Sequence, residues 1–284
     1  MLDILHTYTR RQVTNQARLS PVSSPRLRAP NGARRWPMRD MWLVPITLLV
    51  FVIVWQLAIW VTDYPPFILP APLDVARAGH SVLGDGTLWR HTQTTLTEVL
   101  AGLGLGLLAA SLLGYPLAKS RRLERLVAPY LVASQSVPVV AIAPLLVIWF
   151  GSGRLSKVLV CALIVFFPML VNVMLGLRSV PAELRDLMRS LQASRWQTLW
   201  LLEIPAALPL LLGGLRIGVT LAVVGAVVGE LVGADQGLGF MINQARGLFN
   251  TPLVFVAILA LVTMTMTLYG MVLALEKWLL RWRA

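Results

Sequence analysis

Charge is scarce in this chain, and what there is has mostly one sign. Asp, Glu, Lys and Arg together make up 13% of 284 residues, where a soluble domain carries about 25%. A soluble chain of this size would lack the polar surface to cover itself. Acidic residues number 13 against 25 basic ones, for a net charge of +12, and Arg outnumbers Lys 22 to 3. Cysteine is nearly absent. Cys161 stands alone inside an apolar run, which excludes a disulfide framework and a cysteine zinc site. The three histidines, His6, His80 and His91, have no metal-ligand spacing, so no metal is expected. No G-x-x-x-x-G-K-[ST] run occurs; Lys119-Ser120 follows Ala118 with no glycine in place upstream. The sequence therefore offers no standard loop for ATP phosphates. No catalytic residue and no cofactor are expected.

Apolar residues fill the space: 57% of the chain, with a mean hydropathy of +0.71. They gather into six runs, and the fold class predicted is an all-α membrane protein with six transmembrane helices. The first run is Met41 to Val61, about 21 residues, enough to cross a ~30 Å hydrocarbon core at 1.5 Å per residue. The others run from about Leu96 to Ala118, Leu126 to Phe150, Val158 to Leu177, Leu215 to Val232 and Pro252 to Leu275. The third carries Pro129, Pro138 and Pro144. Residues 1–40 form a basic tail with eight Arg and no apolar period. Disorder is expected there. The tail lacks a small-residue cleavage site and does not read as a signal peptide. The remaining residues, 41–284, make one six-span domain.

The basic residues lie between the apolar runs, not on one amphipathic face. They read as topology signals rather than as a nucleic-acid surface. With a cytoplasmic N-terminus, 20 of the 25 fall inside: eight in the tail, four in Lys119–Arg125, five in Arg178–Arg216 and three in Lys277–Arg283. Arg77, Arg90, Arg154, Lys157 and Arg246 fall outside. An odd number of spans would put one of the basic clusters outside, so both termini are expected inside. The outer segment 62–90 reads as a turn followed either by an interfacial helix at about Leu73–Leu83 or by a plain loop.

Small residues recur every four positions. Gly102, Gly106, Ala110 and Gly114 do so in the second run; Gly214, Gly218, Ala222 and Ala226, and separately Gly225, Gly229 and Gly233, do so in the fifth. Such stripes let backbones approach closely where lipid gives no hydrophobic drive. They fit ordinary bundle packing or a subunit interface. Pro168 shares a face with Asn172, and Ser134, Gln135 and Ser136 add polarity beside Pro138. This broken polar face either lines a pathway or holds helices together. Thr263, Thr265 and Thr267 in the sixth run can bond back to their own helix. Glu230 is the one candidate carboxylate inside a span, placed either to bind or gate, or to reach the interface.

Residues 178–214 suit two short amphipathic helices. Leu184, Leu187, Met188 and Leu191 make an apolar stripe, with Arg185, Asp186 and Arg189 facing away. A turn near Gln192–Ser194 would follow. Ser194 would cap a second helix ending before Pro205. An exposed apolar stripe on a cytoplasmic loop suggests a docking surface.

This loop resembles the coupling motif of binding-protein-dependent ABC permeases, E-A-A-x3-G-x9-I-x-L-P. Asp186 stands at the Glu position and Leu187-Met188 at the two Ala positions. Leu202, Ile204 and Pro205 stand at I, L and P. Gln192 replaces the motif's glycine, at a turn where a left-handed backbone is easiest for Gly. The resemblance covers roughly residues 70–275 and includes Gly213-Gly-Leu-Arg216 and Gly229-Glu-Leu-Val-Gly-Ala-Asp-Gln-Gly237. It points to the branch serving nitrate, alkanesulfonates, taurine and vitamin precursors. Ala143–Gly151, Ser156–Val160 and Phe166–Asn172 look most like riboflavin and thiamine-pyrimidine importers, riboflavin being slightly favoured.

The resemblance implies an importer permease in a bacterial inner membrane. It implies two ABC ATPase subunits docked on Glu183, Asp186, Leu187, Met188, Gln192, Ala193, Arg195 and Pro205. It also implies an extracytoplasmic solute-binding protein and a second permease subunit, with a homodimer expected. Ser134, Gln135, Ser136, Asn172 and Glu230 would be candidate pathway residues. The rival readings are an ion-coupled secondary transporter, which needs more intramembrane charges, and a membrane enzyme, which needs His, Asp or Cys clusters.

Overall fold

A computed structural model describes residues 43–281; the tail expected to be disordered lies outside them. Every regular element among the described residues is helical. The helices are α1 (Leu43–Thr62), α2 (Pro72–Gly84), α3 (Thr87–Lys119), α4 (Arg121–Gln135), α5 (Val139–Phe150), α6 (Arg154–Arg178), α7 (Ala182–Ser190), α8 (Arg195–Thr198), a π-helical turn over Leu199–Glu203, α9 (Ile204–Gly233), α10 (Leu238–Gly247) and α11 (Thr251–Leu279). The chain divides into two compact units at Ile53 and Val54. The described part of the first is the start of α1, apolar and exposed. The second holds everything else.

Within the second unit α6 is the centre, packed along its length against α3 and α9. The small-residue stripes make this possible and are spent inside the chain. A side chain at Gly106 would meet the Ala162 carbonyl oxygen at 2.8 Å, and one at Gly225 would meet the Cys161 Cα at 2.8 Å. Gly114 faces Val173 in the same way, and Gly233 faces Val147 of α5. Val99, Cys161, Val165, Met169, Ala222 and Ala226 fill the seam, joined by Met264 and Leu268 of α11. Dispersion contacts of this kind, not hydrophobic drive, hold helices together in lipid.

The spanning helices exceed the apolar runs at their ends: α3 begins at Thr87, not Leu96, because polar turns continue it, and α9 begins at Ile204, not Leu215, because the apolar stretch 204–212 stays helical through Pro205 and Pro209. The segment 62–90 holds a helix, α2, and is not a plain loop; Pro72 stands in its first turn, where a missing N–H costs nothing. Asp85 Oδ1 accepts from the Thr87 N–H at 2.8 Å at the head of α3. That bond holds the Asp85 carboxyl below its ordinary pKa.

The third apolar run is not one helix. α4 and α5 meet at an angle of 89°. Pro138 has no N–H to continue the ladder and pushes Val137 out of helical backbone. The pair still carries the chain from one end of the bundle to the other. α4 starts beside Lys119, at the end of the bundle where Glu124 pairs with Arg178 at 2.6 Å. α5 hands over to α6 at Arg154, at the opposite end. The Lys119–Arg125 and Arg178–Arg216 basic clusters therefore share one end, here called the loop end.

The second loop helix does not stop before Pro205. α8, the π turn and α9 are continuous over Arg195–Gly233. In an α-register the Pro205 ring would clash with the Leu201 carbonyl. One turn of π-helix, in which the Ile204 N–H reaches the Leu199 oxygen, widens the coil just before the ring.

Candidate functional site: the loop, the broken helix and a buried charge cluster

The loop is built by its caps. α7 ends in a Schellman motif. The Ala193 N–H donates to the Met188 oxygen at 3.0 Å, and the Gln192 N–H to the Arg189 oxygen at 2.9 Å. Gln192 takes φ +53°, the left-handed conformation that the motif's glycine would take. Ser194 then opens α8 with a capping box: its Oγ accepts from the Gln197 N–H at 3.2 Å while Gln197 Oε1 accepts from the Ser194 N–H at 2.8 Å.

Leu184, Leu187 and Leu191 of the expected stripe are exposed, Leu187 by 54%, and Met188 is half-buried. Glu183 and Asp186 are exposed, and Asp186 pairs with Arg189 at 3.0 Å. Arg185 departs from the expectation that it faces away. It turns back, and its Nη2 donates to the Leu177 oxygen at 2.5 Å, tethering α7 to the end of α6. Arg195 is exposed at the start of α8, followed by the exposed, edge-on pair Trp196 and Trp200, 5.7 Å between centroids. Pro205 sits in the first turn of α9.

The candidate pathway residues do not form one cluster. Ser134, Gln135 and Ser136 lie at the α4–α5 break and are exposed. Ser134 Oγ donates to the Leu131 oxygen at 2.9 Å and Ser136 Oγ to the Val132 oxygen at 3.3 Å, so both help satisfy carbonyls around the break. Asn172 is half-buried on α6; its amide donates to the Pro168 oxygen at 2.8 Å, and Gly214 of α9 leaves room for it. The three threonines of α11 bond back to carbonyls of their own helix at 2.7–2.8 Å.

Glu230 lies near the end of α9 and is enclosed by protein. It is 1% exposed, at the end opposite the loop. Its carboxylate accepts from Thr95 Oγ1 at 2.6 Å and from the Gly239 N–H at 2.5 Å. It thereby clamps α3 to the first turn of α10, where carboxylates also favour the helix dipole. Gly237, at φ +116°, lets the chain pass against the carboxyl group. His91 Nδ1 accepts from the Gly237 N–H at 2.9 Å, and Thr95 Oγ1 accepts from the Leu238 N–H at 2.8 Å.

Two charges join this clamp that the sequence reading left out. Glu98 is 1% exposed and lies within electrostatic reach of Glu230 and Lys157. Lys157, expected in an outer loop, is 2% exposed, with its ammonium on the Ser152 oxygen. Glu230 is therefore not the one carboxylate inside a span. His91, Thr95 and Glu98 recur at helical spacing on one face of α3, a pattern legible in the sequence. At the loop end, Glu203, also buried, pairs with Lys119. Arg216 pairs with Glu276 between α9 and α11.

Comparison with known proteins agrees with this architecture. Residues 102–281 match the family described as binding-protein-dependent transport system inner membrane component. The riboflavin transport system permease protein RibX of Chloroflexus aurantiacus is 48% identical over 92% of this chain and 96% of its own. The formylaminopyrimidine transport permease protein ThiX of Halalkalibacterium halodurans is 36% identical, over 83% and 93%. The taurine transport system permease protein TauC of Escherichia coli is 34% identical, over 87% and 92%. In fold, the chain resembles one from an inward-facing MetNI methionine ABC transporter, with a TM-score of 0.59 at 19% identity over 66% of this chain and 94% of that one. With its bundle of apolar helices and its loop helix running on into a span, this chain belongs to the binding-protein-dependent inner-membrane permeases and is a permease subunit of an ABC importer, not itself an enzyme.

Proposed function

We propose that the chain imports a flat, neutral vitamin, riboflavin first, as one half of a homodimeric permease. The observation that carries the substrate is the 48% identity to a riboflavin-system permease across nearly the whole length of both chains. A physical point supports it. Ser134, Gln135, Ser136 and Asn172, the residues assigned to the pathway, are uncharged. An anion leaving water needs compensating charge, and the cations of α4 and α6 lie towards the helix ends: Arg121, Arg122 and Arg125 at the start of α4, and Arg154, Lys157 and Arg178 at the two ends of α6. The exposed break at Ser134–Ser136 would face the pathway between two copies. Glu230 is reassigned from the pathway to the clamp that fixes α10.

In this reading two ATPase subunits dock on the exposed face of α7 and the turn after it, through Asp186, Leu187 and Met188. Both chain termini and this loop lie in the cytoplasm, and a solute-binding protein docks opposite. ATP-driven closure of the ATPases would move the loops together and open the bundle on the other side. The test is reconstitution with the cognate ATPase and binding protein, followed by uptake of labelled riboflavin, thiamine pyrimidine, taurine, an alkanesulfonate and nitrate. ATP-dependent uptake of riboflavin alone is expected. Uptake of only an anion would overturn the vitamin assignment and leave the permease assignment standing.

A further inference from the structure

A cavity of about 580 Å³ opens at the loop end, between the last turn of α3, α7 and α8. Tyr115, Pro116 and Lys119 line it from α3, Arg185 and Arg189 from α7, Arg195 from α8, and Glu203 from the π turn. Four cations face one carboxylate. Lys119 pairs with Glu203, and Arg189 has Asp186 beside it. Arg185 and Arg195 have no carboxylate partner among the described residues.

Two lining atoms are buried and unpaired. Arg185 Nε is a donor without an acceptor, although the guanidinium is tethered through Nη2 to the Leu177 oxygen. Glu203 Oε2 is an acceptor without a donor, although Oε1 takes Lys119. Groups of this kind cost free energy unless something pairs with them. A ligand that completes the cavity therefore brings both an anion, for the arginines, and a hydroxyl or similar donor, for Glu203. The Tyr115 and Pro116 wall is the end of an apolar spanning helix, so the cavity stands where the spans meet water. Basic pockets at that level between spanning helices suit lipid headgroups.

We propose that this cavity binds the phosphoglycerol headgroup of an anionic phospholipid, with phosphate on Arg185 and Arg195 and a glycerol hydroxyl on Glu203. The site is separate from the substrate pathway, and it places a lipid contact directly beneath the loop. A soluble glycerol phosphate presents the same chemistry, so the test has an arm for each source.

The full-length chain in detergent is titrated with dioleoyl phosphatidylglycerol, with the matching phosphatidylcholine and with glycerol 1-phosphate, and bound species are counted by native mass spectrometry. One phosphatidylglycerol per chain is expected to be retained preferentially over phosphatidylcholine, and glycerol 1-phosphate should compete with it. Arg185→Gln with Arg195→Gln should weaken retention about thirty-fold. Arg195 is exposed, so Arg195→Gln alone leaves the fold intact, and it should weaken retention about five-fold. Arg121→Gln, outside the cavity, should leave it unchanged. Equal retention of both lipids, or retention insensitive to Arg195→Gln and to the double change, would overturn the site. Binding of glycerol 1-phosphate without retention of phosphatidylglycerol would overturn the lipid as its source.

Discussion

Glu230 joins three helices at the end of the bundle opposite the loop. It ties α3, α9 and α10 through Thr95 and the Gly239 N–H. Glu230→Leu would leave the buried Gly239 N–H without an acceptor, remove the Thr95 bond and take a carboxylate from beside Lys157, at a cost of about 3–5 kcal/mol. We expect little folded protein from that variant. Glu230→Gln keeps an acceptor for one donor and should cost about 1–3 kcal/mol. Thermal unfolding in detergent separates the two, and equal stability of Glu230→Leu and wild type would refute the clamp. Gln192 tests the opposite direction. Its left-handed backbone costs a non-glycine residue roughly 1–2 kcal/mol, so Gln192→Gly should be tolerated or stabilising. Gln192→Val should lower the melting temperature and loosen ATPase binding in co-purification. The motif comparison located this turn, because a glycine position encodes a backbone angle and not a side-chain contact.

At the scale of elements, the stripe of small residues on α3 distinguishes packed from open faces of one helix. Gly106 meets the Ala162 carbonyl and Val165, whereas a side chain at Gly104 would meet nothing within 4 Å. Gly106→Leu should therefore destabilise by about 1–3 kcal/mol, and Gly104→Leu should leave thermal stability unchanged. Equal effects would mean that the α3–α6 seam is misplaced. Hydropathy revealed these helices because each apolar run is long and little interrupted. It missed the first turns of α3, which are polar, and those of α9, which are apolar but carry Pro205 and Pro209, residues that read as breaks. It also missed the break at Pro138, since average hydropathy carries no direction. Glu98 was readable with His91 and Thr95 as a polar face, but Lys157, which acts on it electrostatically, sits on another helix, and only the packing of α3 against α6 brings them near. The π turn before Pro205 was hidden for a related reason: the proline reads as a stop, and one wider turn of helix removes the clash.

For the molecule as a whole, the consequence of that π turn is mechanical. α8 and α9 are continuous, so the loop that presents Leu187 and Trp196 runs into a helix of 39 residues that ends at the Glu230 clamp. At about 1.5 Å per residue this is roughly 58 Å, longer than the bilayer core. A push on the loop has a stiff element to travel along, with α6 packed beside it. In the proposed topology the 20-to-5 division of basic residues sets this rod's direction, loop inside. With Cys161 replaced, a cysteine at position 235 should react with an impermeant thiol reagent from outside, and one at 196 should not; the reverse pattern would invert the topology. The central claim, that the loop transmits between ATP hydrolysis and the far side of the bundle, is tested most directly in proteoliposomes holding the permease and its ATPase. Substrate-loaded binding protein added at the face opposite the loop should stimulate ATP hydrolysis in wild type. The Leu187→Asp, Met188→Asp double variant, with unchanged membrane insertion and thermal stability, should lose ATPase binding and that stimulation together. Full stimulation in the double variant would contradict the account.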